Sequence, residues 1–490
     1  MKVIISYPPL KGDGCPLLSQ NRQFQWFHNP TYIYPIVPAT AATLLKVNGY
    51  YVIWNDAIAE NWDYPKYRDF IQLEKPDLIA FESKTPVIEQ HWNIIDDIKD
   101  ISPSTKTVLF GDHVTALPEE SFLNSKVDYV ITGGDYDFLL LNLCNHIENN
   151  IALEPGIWFR KKGNIDNSGN FVLNHNLDTL PKIDRDLTRW QLYAYKNGNY
   201  KFTPGTYIMA GRDCWWRKDG GCKFCAWTVT YPKYNVRSVE NVLDEVGDLI
   251  ENYKVREIMD DTGTFPAGNW LRDFCNGMIE RGYNKKINFD CNLRFGALSY
   301  DDYKLMAKAE FRFLLYGLES ANQSTVDRLN KGLDVSLIEN ELKIVRRANE
   351  ESHGHLEPHV TCMVGYPWES KEEAKNTVKM TRDLFDKGLI DTLQATIVIP
   401  YPGTKLFEEC EKNGWLKTND WSRYDMREPV MITSMKDEEV LELTQGIYKS
   451  FVAPKFIFRK IVSVKSIDDL KFLFRASKAF IGHLRDFKSK

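Results

Sequence analysis

Three cysteines stand close together: Cys214, Cys222 and Cys225, in the run Gly211-Arg212-Asp213-Cys214-Trp215-Trp216-Arg217-Lys218-Asp219-Gly220-Gly221-Cys222-Lys223-Phe224-Cys225. This C-x7-C-x2-C spacing lets three thiolates wrap one metal centre. A structural zinc site normally has four protein ligands, and no fourth Cys or His lies nearby in the sequence. Three thiolates leave one iron of a 4Fe–4S cluster open to an outside ligand, which is a chemical reason for stopping at three. Spacing alone favours a cluster, with zinc and chance proximity as the alternatives. The other six Cys, at 15, 144, 275, 291, 362 and 410, read as small core residues. An odd number of Cys in a long chain argues against a disulfide framework.

Further along, polar groups recur at intervals. Met259-Asp260-Asp261-Thr262-Gly263-Thr264-Phe265 offers paired carboxylates that suit an ammonium by charge-assisted hydrogen bonds, or that cap a helix. Arg294 could face a carboxylate or form a surface ion pair. Tyr316-Gly317-Leu318-Glu319-Ser320 puts a carboxylate where it could accept from a diol. Val364-Gly365-Tyr366-Pro367 and Pro400-Tyr401-Pro402-Gly403-Thr404 follow in the same manner.

The elements that would position these residues are short apolar runs alternating with helical patterns. Strands are expected at 206–210, 257–259, 288–292, 312–318, 359–363 and 392–399, and each motif falls at the end of one. Val239, Val242, Leu243, Val246, Leu249 and Ile250 share a helical face. Ser370-Lys371-Glu372-Glu373 is a capping box. Six β/α units form an open partial barrel, with its site at the carboxyl ends of the strands.

The first 150 residues show a second alternation, with strands expected at 3–6, 51–54, 78–81, 107–110 and 129–131. This predicts a doubly wound parallel sheet, Rossmann-like, with a ligand at the strand ends. Those ends read Tyr7-Pro8-Pro9, Asp56, Glu82-Ser83-Lys84-Thr85, Gly111-Asp112-His113 and Gly133-Gly134. The expected organisation is therefore α/β: 1–150 a Rossmann-like domain, 151–200 a linker with a hairpin, 201–410 the partial barrel, and 411–490 a helical C-terminal domain.

These motifs, in this order over residues 1–415, resemble the cobalamin-dependent branch of the radical S-adenosylmethionine (SAM) superfamily, methyltransferase-like. The common cysteine spacing there is C-x3-C-x2-C, so the longer first gap departs from the pattern and bears on the conformation of the loop. The resemblance implies a 4Fe–4S cluster on Cys214, Cys222 and Cys225. It implies SAM contacts from Phe224, Asp260, Asp261, Arg294, Glu319, Ser320 and Gly365. Gly111-Asp112-His113-Val114 looks like the fourth-strand loop of the family's cobalamin domains, and the implied corrin contacts are Pro8, Ser83, Thr85, Gly111, Asp112, His113, Val114, Gly133 and Gly134. The D-x-H-x-x-G motif is absent, the equivalent position reading Asp56-Ala57-Ile58-Ala59-Glu60, so the corrin would be bound base-off without a histidine ligand.

The implied activity is reductive cleavage of SAM to a 5′-deoxyadenosyl radical and C-methylation of an unactivated sp3 carbon with methylcobalamin. Electrons would come from an external donor such as flavodoxin or ferredoxin. Two rivals stand beside it: a cyclase, ring-rearranging or C–C coupling enzyme with the same cofactors, and a zinc-stabilised corrin-binding protein without enzymatic activity. The substrate, a small molecule or peptide, is not readable. Hydrophobic residues at 43% and charged residues at 26% are those of a globular protein. A net charge of −5 gives no general case for nucleic acid. No membrane span or leader is expected, which points to the cytoplasm. From Lys449 to Lys490 there are 11 Lys/Arg against three Asp/Glu, either a solvated helical face or a surface for an anionic partner.

Overall fold

A computed structural model of the chain describes residues 1–17, 24–448, 451, 454–462 and 464–486. Strand β1 (Lys2–Tyr7) leads into a short antiparallel hairpin, β2 (Cys15–Leu17) and β3 (Gln25–Phe27), then to β4 (Tyr51–Asp56), β5 (Leu78–Glu82), β6 (Lys106–Phe110) and β7 (Tyr129–Ile131). Among the described residues the sheet runs β4-β1-β5-β6-β7 in parallel. Successive side chains of one strand feed different cores, as alternation across a pleat requires. Val3 and Ile5 join the core under helices Ile36–Val47 and Tyr136–Asn149, whereas Ile4, Ile79 and Phe81 join Tyr67, Ile71 and Ile95 on the opposite face. The sheet is thus doubly wound, and β1 and β5 flank the point where the strand order reverses.

The hairpin expected beyond residue 150 is β8 (Ile157–Lys161) and β9 (Asn164–Asn167). It pairs antiparallel with β7 and extends the first sheet.

The second sheet contains β10 (Gly205–Ile208), β13 (Glu257–Asp260), β14 (Asn288–Leu293), β15 (Phe311–Glu319), β16 (Glu357–Val364) and β17 (Thr392–Ile397), parallel and in chain order. A two-residue ladder of β11 (Gly211–Arg212) and β12 (Asn235–Val236) frames the cysteine loop. The strands do not close, leaving an open partial barrel. Its outer helices begin where side chains satisfy the free amides of the first turn. Ser238 caps Val239–Glu251, and Ser370 and Glu373 form the reciprocal capping box of Lys371–Asp386.

The amino-terminal ends of the barrel strands are locked by Arg312, which is buried and ion-paired with Glu257, Asp290 and Glu357. Helix Ile467–Asp486 crosses this base, held by Asp468 to Arg256 at 2.7 Å and by Asp469 to Lys201 at 2.9 Å. The two sheets are joined at their carboxyl ends. Arg212 beside the cysteine loop pairs with Asp135 and Asp137 beyond β7, each at 2.5 Å and all buried. Between the sheets, and along the open flank of the barrel, runs a cavity of about 1060 Å³.

Candidate active site

The cysteine loop leaves β11 at Asp213, whose φ of +78° turns the chain sharply. Both oxygens of Asp213 accept from Arg217, at 2.6 Å each, bracing the turn Trp215–Asp219 that fills the long gap between Cys214 and Cys222. The added residues are pinned from outside. Trp216 donates through Nε1 to the Asn330 carbonyl at 2.7 Å, and Asn330 donates to the carbonyls of Asp219 and Gly221 at 2.8 and 2.9 Å. Lys223 bonds through its backbone to Leu329 and Leu406, each at 2.9 Å. The unusual spacing therefore builds a buttress against residues 329–331 and keeps the three thiols on one loop.

All three thiols are free and half-buried. The Cys214 thiol lies 2.9 Å from the Thr264 hydroxyl, and Arg294 Nη1 is 3.7 Å from Cys222 Sγ. Burial pushes the Cys225 thiol up to about 12, with Cys222 and Asp213 adding to the rise and Arg217 opposing it. A positive metal centre is what turns such thiols into thiolates. Among the described residues no three His, Cys, Asp or Glu side chains converge on one ion. A cubane with three protein ligands takes one thiolate on each of three irons. The donor set fits a cluster.

Glu319 ends β15 with φ +67° and holds Lys331 at 2.7 Å, both buried. Lys331 Nζ lies 5.9 Å from the centre of the Phe224 ring. Phe224, Cys225 and Glu319 line the cavity.

The other expected SAM contacts are turned elsewhere. Asp260 is buried and accepts from the amides of Ala210 at 2.6 Å and Thr262 at 3.0 Å, so its carboxylate staples β13 to the chain after β10. Burial raises it to about 7, against those hydrogen bonds. Asp261 is buried beside it, its amide bonded to Ile208. Arg294 is sandwiched near Trp216, 4.4 Å from the ring centre, and bonds the Lys331 carbonyl. Ser320 donates to Glu369 at 2.6 Å, and Gly365 packs beside Val440. None of these five lines the cavity. Asp260 and Ser320 thus tie neighbouring segments together at the strand ends.

On the facing side, Thr85 and Asp112 line the cavity together with Lys84, which pairs with Asp112 at 2.8 Å. The remaining expected corrin contacts do not reach it. His113 is buried with Nδ1 3.2 Å from the Thr85 hydroxyl and Nε2 2.9 Å from Glu120. Ser83 is bonded to His91 at 2.7 Å. Pro8 and Val114 are buried. Gly111, at φ +127°, sits so close to the end of β5 that a Cβ would collide with the Ser83 carbonyl. Gly133 and Gly134 are covered by Phe171 and Tyr231, whose hydroxyl donates to the Gly134 carbonyl at 3.1 Å. Those two glycines admit neighbouring protein.

Sequence reasoning missed Lys331, Thr264 and the Asp213–Arg217 brace. Asp213 adjoins a predicted ligand and could have been found from that adjacency; Lys331 carries no spacing signal. Of the aromatic residues just beyond Cys225, Trp227 and Tyr231 are both buried, and Trp227 lines the cavity whereas Tyr231 does not.

Fold and site together define a two-sheet α/β protein in which a three-thiol loop at a barrel mouth faces the strand ends of a doubly wound domain. Residues 210–381 match the model of the radical SAM superfamily. It is 24% identical over 413 residues to an uncharacterized methyltransferase of Pyrococcus horikoshii, covering 83% of this chain and 85% of that one. It is also 24% identical to the anaerobic magnesium-protoporphyrin IX monomethyl ester cyclase of Cereibacter sphaeroides, over 82% of this chain and 64% of that one. The fold is shared with the radical SAM methyltransferase TsrM of Kitasatospora setae, solved with cobalamin and a 4Fe–4S cluster, at a TM-score of 0.66, 13% identity and 98% of each chain. The cobalamin-dependent SAM radical enzyme OxsB matches at a TM-score of 0.67 and 13% identity, over 98% of this chain and 71% of that one.

Proposed function

We propose that the protein is a cobalamin-dependent radical SAM methyltransferase acting on an unactivated sp3 carbon, with electrons from a flavodoxin or ferredoxin type of donor. The observation that carries this reading is the single cavity bordered by Cys225 and Glu319 on one side and by Thr85 and Asp112 on the other. At about 1060 Å³ it exceeds the usual drug-sized pocket, as a site for a corrin and a second ligand must. When bound, the cluster, SAM and the corrin would supply one-electron bond cleavage and a transferable methyl group.

The chain's own residues do the rest. Cys214, Cys222 and Cys225 would hold the cluster, with Thr264 and Arg294 donating toward two of the sulfurs. Glu319 would accept from ribose hydroxyls, and Lys331 beside it fixes the direction of its carboxylate. Phe224 forms the wall next to that pair. Lys84, Thr85 and Asp112 offer an ammonium, a hydroxyl and a carboxylate to the polar edge of a corrin. Predominantly apolar walls would exclude water from a radical.

The likeness to the magnesium-protoporphyrin cyclase favours a second reading, ring closure with the same cofactors and no methyl transfer. One experiment separates them. Protein purified without oxygen, reconstituted with iron and sulfide and supplied with cobalamin, SAM and reductant should be brown, retain corrin, and release 5′-deoxyadenosine and S-adenosylhomocysteine. Formation of 5′-deoxyadenosine without S-adenosylhomocysteine would move the assignment to the cyclase reading. No iron and no cleavage would refute both.

A further inference from the structure

The two last helices of the described chain present apolar residues on opposite sides. In Pro454–Val462, Phe456, Lys460 and Ile461 line the cavity, whereas Phe458 and Val462 do not and stand exposed one turn apart, at i and i+4. In Ile467–Asp486, Phe472 and Ala476 line the cavity, whereas Ile467, Leu470 and Phe474 point away at i, i+3 and i+7. The outward residues are well exposed: Phe458 69%, Ile467 72% and Phe474 75%. Elsewhere on the described surface large apolar residues are exposed too, but they are scattered along the chain, as on most soluble surfaces. Helices that are apolar on two sides need an apolar neighbour on both, and the described residues supply only the inner one.

Charge says what the outer neighbour is. The segment from Lys449 to Lys490 carries 11 Lys/Arg and three Asp/Glu. Two of those three acids, Asp468 and Asp469, are drawn inward by Arg256 and Lys201. The outer side keeps exposed Lys465 and Lys471 beside the apolar stripe. No described helix is long and apolar enough to cross a membrane. An exposed apolar stripe edged by lysines is the pattern of a helix lying in a bilayer interface, its apolar side chains among acyl chains and its ammonium groups at anionic headgroups.

We infer that helices Pro454–Val462 and Ile467–Asp486 dock the protein on the surface of a bilayer containing anionic lipid. The ion pairs of Asp468 and Asp469 fix the orientation, holding one face of the helix pair on the barrel base and the cavity while the other meets lipid. The inference does not depend on the chemistry of the cysteine loop.

Flotation of the full chain with vesicles tests it, using phosphatidylcholine alone and phosphatidylcholine containing phosphatidylglycerol. The wild-type protein should float with the anionic vesicles and be released in large part as salt rises from about 0.1 M to about 1 M. Phe458→Ser/Phe474→Ser should lower the bound-to-free ratio at least ~10-fold, with cluster content and thermal midpoint unchanged. Lys465→Glu/Lys471→Glu should lower it on anionic vesicles only. Absence of flotation, equal binding to neutral vesicles at every salt concentration, or binding unaffected by the apolar variant would overturn the inference. So would a wild-type dimer in light scattering that Phe458→Ser/Phe474→Ser converts to monomer without any vesicle binding, because a second copy would then be the cover.

Discussion

The barrel mouth and the carboxyl ends of the first sheet face one cavity and use their polar residues in opposite ways. At the barrel mouth three thiols stay half-buried and unbridged on a buttressed loop, and Glu319 sits beside Lys331 at the cavity wall. At the first sheet His113 and Ser83 are satisfied by neighbouring side chains, and Gly133 and Gly134 are filled by aromatic rings. One region presents side chains to a ligand. The other presents a surface whose shape is set by its own packing, with Lys84, Thr85 and Asp112 the strand-end residues, among those described, that reach the cavity. A motif conveys function most directly where side-chain chemistry is the function.

The largest effect should come from the thiols. Cys214→Ala, Cys222→Ala or Cys225→Ala should each reduce iron retained after reconstitution to a small fraction of wild type and abolish 5′-deoxyadenosine formation. Retention of a full cluster by any of them would remove that cysteine from the ligand set.

The joint between the regions comes next. Arg212→Ala leaves Asp137 buried without its cation and Asp135 with His175 alone, which should cost about 3–5 kcal/mol in urea denaturation. Adding Asp135→Asn and Asp137→Asn should recover much of it. A loss with no recovery would mean that packing of the arginine stem, not charge, joins the sheets.

Glu82 at the end of β5 sharpens the contrast through pH. It is buried, accepts from the Tyr7 hydroxyl at 2.5 Å, and burial raises it from 4.5 to about 7, with Lys84 opposing. The folded state binds this proton more tightly than the unfolded chain. Its stabilising contribution is therefore full below about pH 4.5 and lost as pH rises through 7. Glu82→Gln should flatten the stability profile across that window and gain on the order of 3 kcal/mol relative to wild type near pH 8. Parallel profiles for the two proteins would show that Glu82 remains ionised.

At the barrel mouth, Glu319→Gln replaces one of the two acceptor oxygens with a donor and should weaken SAM binding ~10–100-fold by calorimetry, leaving iron content unchanged. The smallest effect belongs to the first sheet. His113→Gln should change corrin retention within about twofold, well short of the ~10–100-fold typical when support of a ligand is lost. A larger loss would show that the His113 ring leaves Glu120 to meet the corrin, and the contrast between the two regions would narrow.

Much of the architecture was legible in the sequence because its signals are local. Apolar runs separated by helical faces marked the parallel strands of both sheets, and Ser370 with Glu373 marked a helix start that is present as read. The three cysteines were legible because their chemistry has few structural substitutes. Asp260, Arg294 and Ser320 are less legible for the opposite reason: carboxylate, guanidinium and hydroxyl serve ties within the protein as readily as ligands. Lys331 was invisible because it reaches Glu319 only through the fold.

The sequence by itself determined two β/α alternations, one three-thiol loop and a basic carboxyl-terminal segment. Periodicity, spacing and charge are properties of neighbours along a chain. The tertiary structure decided which polar groups face the cavity, how Arg212 joins the sheets, why the long cysteine gap is a buttress, and which side of the last helices is left outward. Each of these depends on partners tens to hundreds of residues apart, where competition for hydrogen bonds and burial is settled only once the chain has packed.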